Sequence, residues 1–177
     1  MRASVVICTY GRPEEAKRLL GELDKQGYRD FEAIVIFQGD KEDLEKTKES
    51  VKTDYPIIFH YESSPNLPRA RNIGIKFASG DIIIFLDDDV KPQDTLIGAH
   101  VANYADSTVG IVGGRILGEK YEEDVPDSKI GMVRRFDGFA HLGFHKDVKR
   151  EVMHVKGGNM SVKKSLAVDI GGFDERF

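Results

Sequence analysis

The sequence predicts an α/β fold, three layers deep (α/β/α), around a mainly parallel sheet. Three observations predict it. Short β-branched runs are apolar on both alternating faces, as expected for strands covered by helices on either side. Segments of helical periodicity separate these runs. Polar clusters stand at the carboxyl ends of the runs, where ligands bind in sheets of this kind.

The elements follow in order. Ser4 to Cys8 is the first strand-like run. Pro13 suits the first turn of a helix, and Ala16, Leu19, Leu20 and Leu23 then recur at the spacing of one buried stripe. Phe31 to Phe37 is a second strand, and Lys41 to Lys52 a charged surface helix whose few apolar residues include Leu44 and Val51. Ile57 to Tyr61 is a third strand. Pro65 and Pro68 frame a loop, with Pro68 opening a helix that carries Ala70, Ile73 and Phe77. Asp81 to Leu86 is a fourth strand that ends in Asp87, Asp88 and Asp89. A helix over 94–104 and a strand over 109–116 follow. Periodicity fails across 118–150, a charged stretch dotted with Phe136, Phe139, His141, Phe144 and His145, and a loop of that length in a compact domain is functional or mobile. Paired glycines at 157–158 and 171–172 mark turns or close backbone approaches.

Length and charge bound the possibilities. With 177 residues, one domain over 1–177 is expected. The 26 Lys+Arg against 30 Asp+Glu leave a net charge of −4, which excludes a general nucleic-acid binder. A single cysteine excludes a disulfide framework, and its place inside the first strand makes Cys8 an inert core thiol. No apolar stretch reaches the ~20 residues of a membrane span, and the N-terminal run is too short for a signal core. A cytoplasmic location is expected, with attachment to the inner face of the membrane as the alternative.

The acidic triplet is the sharpest chemical feature. Three adjacent carboxylates repel one another unless a divalent cation or full solvation relieves them. Oxygen ligands favour Mg²⁺ or Mn²⁺, with diphosphate and water completing the octahedron. A solvated acidic turn is the plain alternative. Arg69 and Arg71, near the start of a helix, can meet an anion or form a surface salt bridge, and Arg12 has the same two readings. Gly158-Asn159-Met160-Ser161 either lets a substrate approach the backbone or is an ordinary turn into a strand. His141, His145 and His154 could join a site, though no metal-ligand spacing is present, and His60 reads as structural. The chain carries no GxGxxG after its first strand, no GxxxxGK[ST] and no GxSxG, which disfavours the dinucleotide, P-loop and nucleophile-elbow classes.

Taken together, VVICTYGRP (5–13), FEAIVIFQGD (31–40), NLPRARNIGIKFASGDIIIFLDDDV (66–90) and GGNMSVKKSLAVDIGGFDERF (157–177) resemble the N-terminal part of a family 2 glycosyltransferase of the GT-A fold. The resemblance spans the chain outside 118–150. It implies metal-dependent, inverting transfer of a sugar from a nucleotide-diphosphate sugar, of UDP, GDP or dTDP type, to an acceptor hydroxyl on a glycan, lipid-linked group or protein. It also implies residue roles. Thr9, Tyr10 and Arg12 would line the nucleotide pocket, Asp88 would belong to the same pocket, and Arg71 would approach the diphosphate or the base. Asp87 and Asp89 match the ends of the DxD motif, Asp87 leaning on the ribose and sharing the cation with Asp89. Gly158, Asn159 and Met160 would border the donor sugar and the acceptor. The 118–150 stretch would be the acceptor loop.

Two departures from the family pattern stand out. Phe37 occupies the place of a base-reading acid, leaving Gln38 or Asp40 as stand-ins. The Asp/Glu motif that supplies the family's general base would also lie beyond Phe177. No residue is therefore assigned as catalytic, and the chain is expected to be truncated at its C-terminus. Asp174 and Glu175 are the nearest carboxylates. A non-catalytic nucleotide-sugar or glycan-binding module is the alternative function. A sugar nucleotidyltransferase is a weaker one, because TYGRP lacks the glycine-rich basic loop that activity needs.

Overall fold

A computed structural model describes residues 1–118 and 125–177. Six strands form one sheet in the order β3-β2-β1-β4-β6-β5. The strands are β1 (Ala3–Tyr10), β2 (Phe31–Gln38), β3 (Ile57–Glu62), β4 (Ile82–Asp87), β5 (Ile111–Gly113) and β6 (Asn159–Lys163). The helices are α1 (Pro13–Leu23), α2 (Lys41–Ser50), α3 (Leu67–Phe77), α4 (Leu96–Asn103) and α5 (Lys164–Asp169). β1 through β4 pair in parallel. β6 runs antiparallel to β4 and carries β5 on its outer side. The sheet is thus parallel in its first half and mixed beyond β4.

Strand alternation builds both cores. Val5, Ile7, Ala33, Val35, Ile82, Ile84 and Leu86 face one side, packed against Leu19, Leu20 and Leu23 of α1 and Ile97 and Val101 of α4. Val6, Ile34, Ile36, Ile83 and Phe85 face the other, under Ala70 and Ile75 of α3 and Ala167 of α5. The apolar runs read from the sequence are therefore strands sandwiched between two helical layers.

Helix starts follow local chemistry. The Asp40 carboxylate caps α2 by accepting from the Glu42 amide at 2.8 Å, and Asn66 Oδ1 caps α3 by accepting from the Arg69 amide at 2.7 Å. α3 therefore opens at Leu67, one residue before the expected Pro68.

The strand expected over 109–116 is corrected to Ile111–Gly113. Just beyond it the Asn159 carboxamide fills the space beside Gly114, where a Cβ would meet Asn159 Cγ at 2.5 Å. Within the stretch expected to be irregular, 119–124 lies outside the described residues. The remainder holds a 3₁₀ turn at Asp127–Lys129, an isolated bridge between Val133 and Ala140, and a small cluster of Val125, Ile130 and Phe144.

Candidate active site

Three strand ends converge at one edge of the sheet. Register places Tyr10 beside Gln38 and Cys8 beside Asp87. β1 is followed in the sheet by β2 on one side and β4 on the other, so the chain reverses its winding direction at the β1–β4 junction. That junction is where a crevice forms in open α/β sheets.

The acidic triplet sits there, and its three side chains part company. Asp88 is wholly buried and turns toward Arg12, whose Nη2 lies 2.5 Å from its Oδ1. Arg12 Nη1 also reaches Asp89 at 3.3 Å. Arg18 of α1 clamps the same turn by its backbone, donating to the carbonyls of Asp88 (3.3 Å) and Val90 (3.0 Å). Asp87 and Asp89 remain roughly half exposed, at 50% and 59% of their side chains. Arg71 of α3 stands 3.7 Å from Asp87, its guanidinium over the rings of Phe85 and Phe173. Burial pushes the Asp87 carboxyl above its ordinary range; Asp89 and Asp88 push the same way, and Arg71 opposes them.

A cavity of about 990 Å³ opens beside this turn. Arg71, Asp87, Asp89, His100, Arg115 and Asn159 lie on its walls. Gly157 and Gly158 line it too, and their missing side chains have a definite use. A Cβ on Gly157 would meet Arg71 Nη2 at 2.5 Å, and one on Gly158 would come closer still to Asp87 Oδ2. The glycines therefore admit the protein's own arginine and aspartate to the cavity wall.

Among the residues singled out from the sequence, Arg71, Asp87, Asp89, Gly158 and Asn159 are brought together on this cavity. The others lie beside or beneath it. Thr9 is buried, its hydroxyl donating to the Arg12 carbonyl at 3.4 Å, while Tyr10 is exposed. Gln38 is buried and donates to the Ser64 carbonyl at 2.7 Å. Asp40 is spent on its helix cap. Met160 packs in the core on the α3 side. Phe37 is fully buried. His141 and His154 pack on Phe139 and Phe144, away from the cavity. Cys8 is held protonated by burial, which pushes its thiol up to about 12, in keeping with an inert thiol.

The C-terminal segment supplies no group to the cavity. Phe177, the residue beyond which the family's base motif would fall, is exposed and stands outside the cavity lining. Of the two carboxylates nearest to it, Glu175 is engaged by α3, accepting from Asn72 Nδ2 at 2.8 Å with Arg69 at 3.6 Å. Asp174 is paired with Arg176 at 2.5 Å. Both carboxylates, like Phe177, lie outside the cavity lining.

Sequence reasoning passed over Arg18, Arg115 and His100. His100 is buried on α4, between Ser161 and Asn159 of β6. No local signal marks it, because those partners lie about sixty residues further along the chain.

The donor set suits a hard divalent cation. Among the described residues no three His, Cys, Asp or Glu side chains converge as a closed cage. The arrangement is instead an open pair, Asp87 and Asp89, with the third carboxylate withdrawn and paired. One or two carboxylates plus ligand phosphate oxygens is how Mg²⁺, and by the same oxygen chemistry Mn²⁺, is commonly held.

The sheet therefore carries two open carboxylates and an arginine at its β1–β4 crevice, and the class of protein follows from the proteins this chain resembles. The profile described as Glycosyl transferase family 2 matches residues 4–170, and the chain belongs to that family. It is 24% identical over 181 residues to a glucosyl-dolichyl phosphate glucuronosyltransferase of Haloferax volcanii, covering 98% of this chain and 56% of that protein. It is 28% identical over 180 residues to an uncharacterized glycosyltransferase, YwdF, of Bacillus subtilis, covering 98% of this chain and 62% of the other. The chain thus spans somewhat over half the length of these relatives. Among solved structures, the mannosyltransferase PcManGT of Pyrobaculum calidifontis, in complex with GDP-Man and Mn²⁺, superposes with a TM-score of 0.72 at 21% identity. That match covers 98% of this chain and 48% of the mannosyltransferase. TarS 1-349 of S. aureus with UDP gives 0.70 at 18% identity, covering 99% and 51%. The fold is GT-A.

Proposed function

We propose that this chain forms the donor half of a glycosyltransferase that moves a sugar from a nucleoside diphosphate sugar to an acceptor hydroxyl, with inversion at the anomeric carbon. The observation that carries the reading is the split triplet: Asp88 paired inside, Asp87 and Asp89 open on a cavity that Arg71 also lines. Relatives named as glycosyltransferases, and neighbours holding GDP-Man or UDP, support the same class.

In this reading Asp89 and Asp87 hold Mn²⁺ or Mg²⁺, which when bound supplies Lewis-acid stabilisation of the departing diphosphate. Asp87 also faces the ribose. Arg71 adds fixed positive charge beside the same phosphates, already oriented by its stacking on Phe85 and Phe173. Arg12 and Arg18 hold the carboxylates in place by gripping Asp88 and the backbone of its turn. Tyr10, exposed beside Thr9 at the end of β1, offers a ring for the base, with Gln38 and Asp40 on the adjoining turn. Asn159 and its neighbours Gly158 and Met160 border the sugar. The acceptor is proposed to enter past the 125–150 segment, which is tied to the cavity wall by the Ile116 amide donating to the Phe144 carbonyl at 2.9 Å.

The test is a thermal-shift titration with UDP, GDP, dTDP and their sugars, each with and without Mn²⁺. A ligand at a hundred times its Kd adds about 2.7 kcal/mol to stability. A rise in Tm requiring both nucleotide and metal is expected. Absence of any rise across the panel would sink the reading. A rise without hydrolysis of the bound sugar donor would favour a binding module.

A further inference from the structure

Behind Asn159 lies a buried chain of hydrogen bonds. The Tyr104 hydroxyl and Ser161 Oγ are 2.8 Å apart, Ser161 Oγ and His100 Nδ1 are 2.8 Å apart, and His100 Nε2 and Asn159 Oδ1 are 2.8 Å apart. The Asn159 carboxamide nitrogen then donates to the Arg115 carbonyl at 3.1 Å. Tyr104, Ser161 and His100 are almost fully buried. The chain ties α4 to β6 and to the cavity wall at Arg115.

The direction of every proton in it can be worked out. The Asn159 nitrogen faces a carbonyl, so its oxygen faces His100 and can only accept. His100 must therefore carry its proton on Nε2 and donate. Nδ1 is then bare and accepts from Ser161 Oγ–H. The Ser161 oxygen in turn accepts from the Tyr104 hydroxyl. Every member is satisfied in one direction only. Reversing the ring would set a bare nitrogen against the Asn159 oxygen. Burial also lowers the tendency of His100 to take a second proton, although its bond to Asn159 opposes this. The ring is thereby kept neutral.

We propose that His100 is a positioning residue that fixes the Asn159 carboxamide in one orientation, so that its spare N–H and spare oxygen lone pair read a hydroxyl of the donor sugar. This rests on the glycosyl-transfer reading of the cavity and assigns a device for sugar choice within it. Asn159 has the capacity: one of its two N–H groups and one of its two oxygen lone pairs are used by the chain, and the others are left. It also has the place, on the cavity wall next to Gly158 and Asp87. An amide free to flip would present donor and acceptor interchangeably and lose discrimination between sugars differing at one hydroxyl.

The experiment compares His100→Leu, His100→Gln and Ser161→Ala with the parent chain. Each is titrated calorimetrically, in Mn²⁺, with a nucleoside diphosphate and with its sugar, over UDP-glucose, UDP-N-acetylglucosamine, GDP-mannose and dTDP-glucose. His100→Leu is expected to weaken nucleotide-sugar binding about tenfold, the scale of one misplaced hydrogen bond, and to leave the bare diphosphate unchanged. His100→Gln keeps a nitrogen donor of similar reach and is expected to stay within about threefold of the parent. Nitrogen NMR of the free protein is expected to show His100 as the neutral Nε2–H tautomer, and Ser161→Ala to mix the two tautomers. If His100→Leu does not fold, the tautomer shift and a loss of sugar affinity in Ser161→Ala carry the same test. A parent chain that binds the sugars while the variants bind them equally well would overturn the role of His100 alone. An Nδ1–H majority tautomer would do so too. A parent that binds neither diphosphates nor their sugars would overturn the glycosyl-transfer reading, and this inference with it.

Discussion

Two carboxylates, one at each end of the sheet, are treated in opposite ways. At the amino end Glu32 is 4% exposed and saturated: it accepts from Ser4 Oγ at 2.7 Å, from the Ser79 amide at 2.7 Å and from Ser79 Oγ at 2.8 Å, with Arg2 at 3.3 Å. Burial alone would raise its pKa, but these donors outweigh it and hold the carboxyl below its ordinary range. At the carboxyl end partial burial, with two acidic neighbours set against one arginine at 3.7 Å, pushes the Asp87 carboxyl up. A carboxylate whose bonds are all made inside the protein holds the fold together. One left with unused lone pairs on a cavity wall is available to a ligand, and its charge is a cost until the ligand arrives.

That contrast can be broken most severely at Asp89. Asp89→Ala removes one of the two open carboxylates while leaving the Arg12–Asp88 pair in place. It is expected to lower Mn²⁺-dependent nucleotide binding by about a hundredfold or more, the loss of roughly 3 kcal/mol of cation coordination, with unfolding little changed. Calorimetry with and without Mn²⁺, beside urea denaturation, checks both halves. Retained metal-dependent affinity would assign the cation to other residues.

The opposite outcome is expected at the other end. Glu32→Ala strands the Ser4 hydroxyl and the Ser79 amide in the interior. A cost of about 2–4 kcal/mol is expected from leaving such groups unpaired, read as a lower urea midpoint, with nucleotide affinity per folded molecule unchanged. A stability within about 0.5 kcal/mol of the parent, the ordinary scatter of surface substitutions, would show that the network is dispensable.

How much of this contrast was legible in the sequence depends on the distance between partners. The strand pattern was plain, because residues such as Val5, Val6 and Ile7 cover both faces of a strand within three positions. The acidic turn was equally plain at the end of β4. Its split was legible in principle too. Side chains alternate across a strand, so Leu86 faces the α1 side while Phe85 and Asp87 face α3, where Arg71 lies 3.7 Å from Asp87. His100 and the Glu32 network were not legible. Their partners lie 59 and 61 residues away for His100, and 28 and 47 for Glu32, with no periodicity linking them. The antiparallel course of β6, which pairs Asn159 with Leu86, sets Gly158 against Asp87 and brings Ser161 to His100, follows a segment whose sequence carries no regular pattern. The helix spacing and charge runs that reveal neighbours four residues apart are silent about such meetings.

The mildest and sharpest version of the comparison changes charge without changing shape. Because Asp87 is held above its ordinary pKa, its ionised form is disfavoured in the folded chain, so Asp87→Asn is expected to leave the Tm equal or higher while abolishing metal-dependent nucleotide binding. Glu32→Gln is expected to lower the Tm, because Glu32 is held below its ordinary pKa. The pH dependence follows the same signs. Stability from Glu32 is complete above the unfolded carboxylate value of about 4.3 and is lost as pH falls below it. His100, lowered by burial, contributes in the same direction but at higher pH: its share is complete above about 6.5 and declines as acid protonates the unfolded chain first. Asp87 works against both, since its neutralisation in acid relieves the fold. Urea midpoints from about pH 7.5 to about pH 3.5 should therefore fall in two stages for the parent, around the unfolded histidine and carboxylate values. The lower stage should be shallower in Glu32→Gln and the upper stage absent in His100→Gln. A parent profile flat from about pH 7 to about pH 5 would remove His100 from the account and leave Glu32 as the sole acid-sensitive tie of the two.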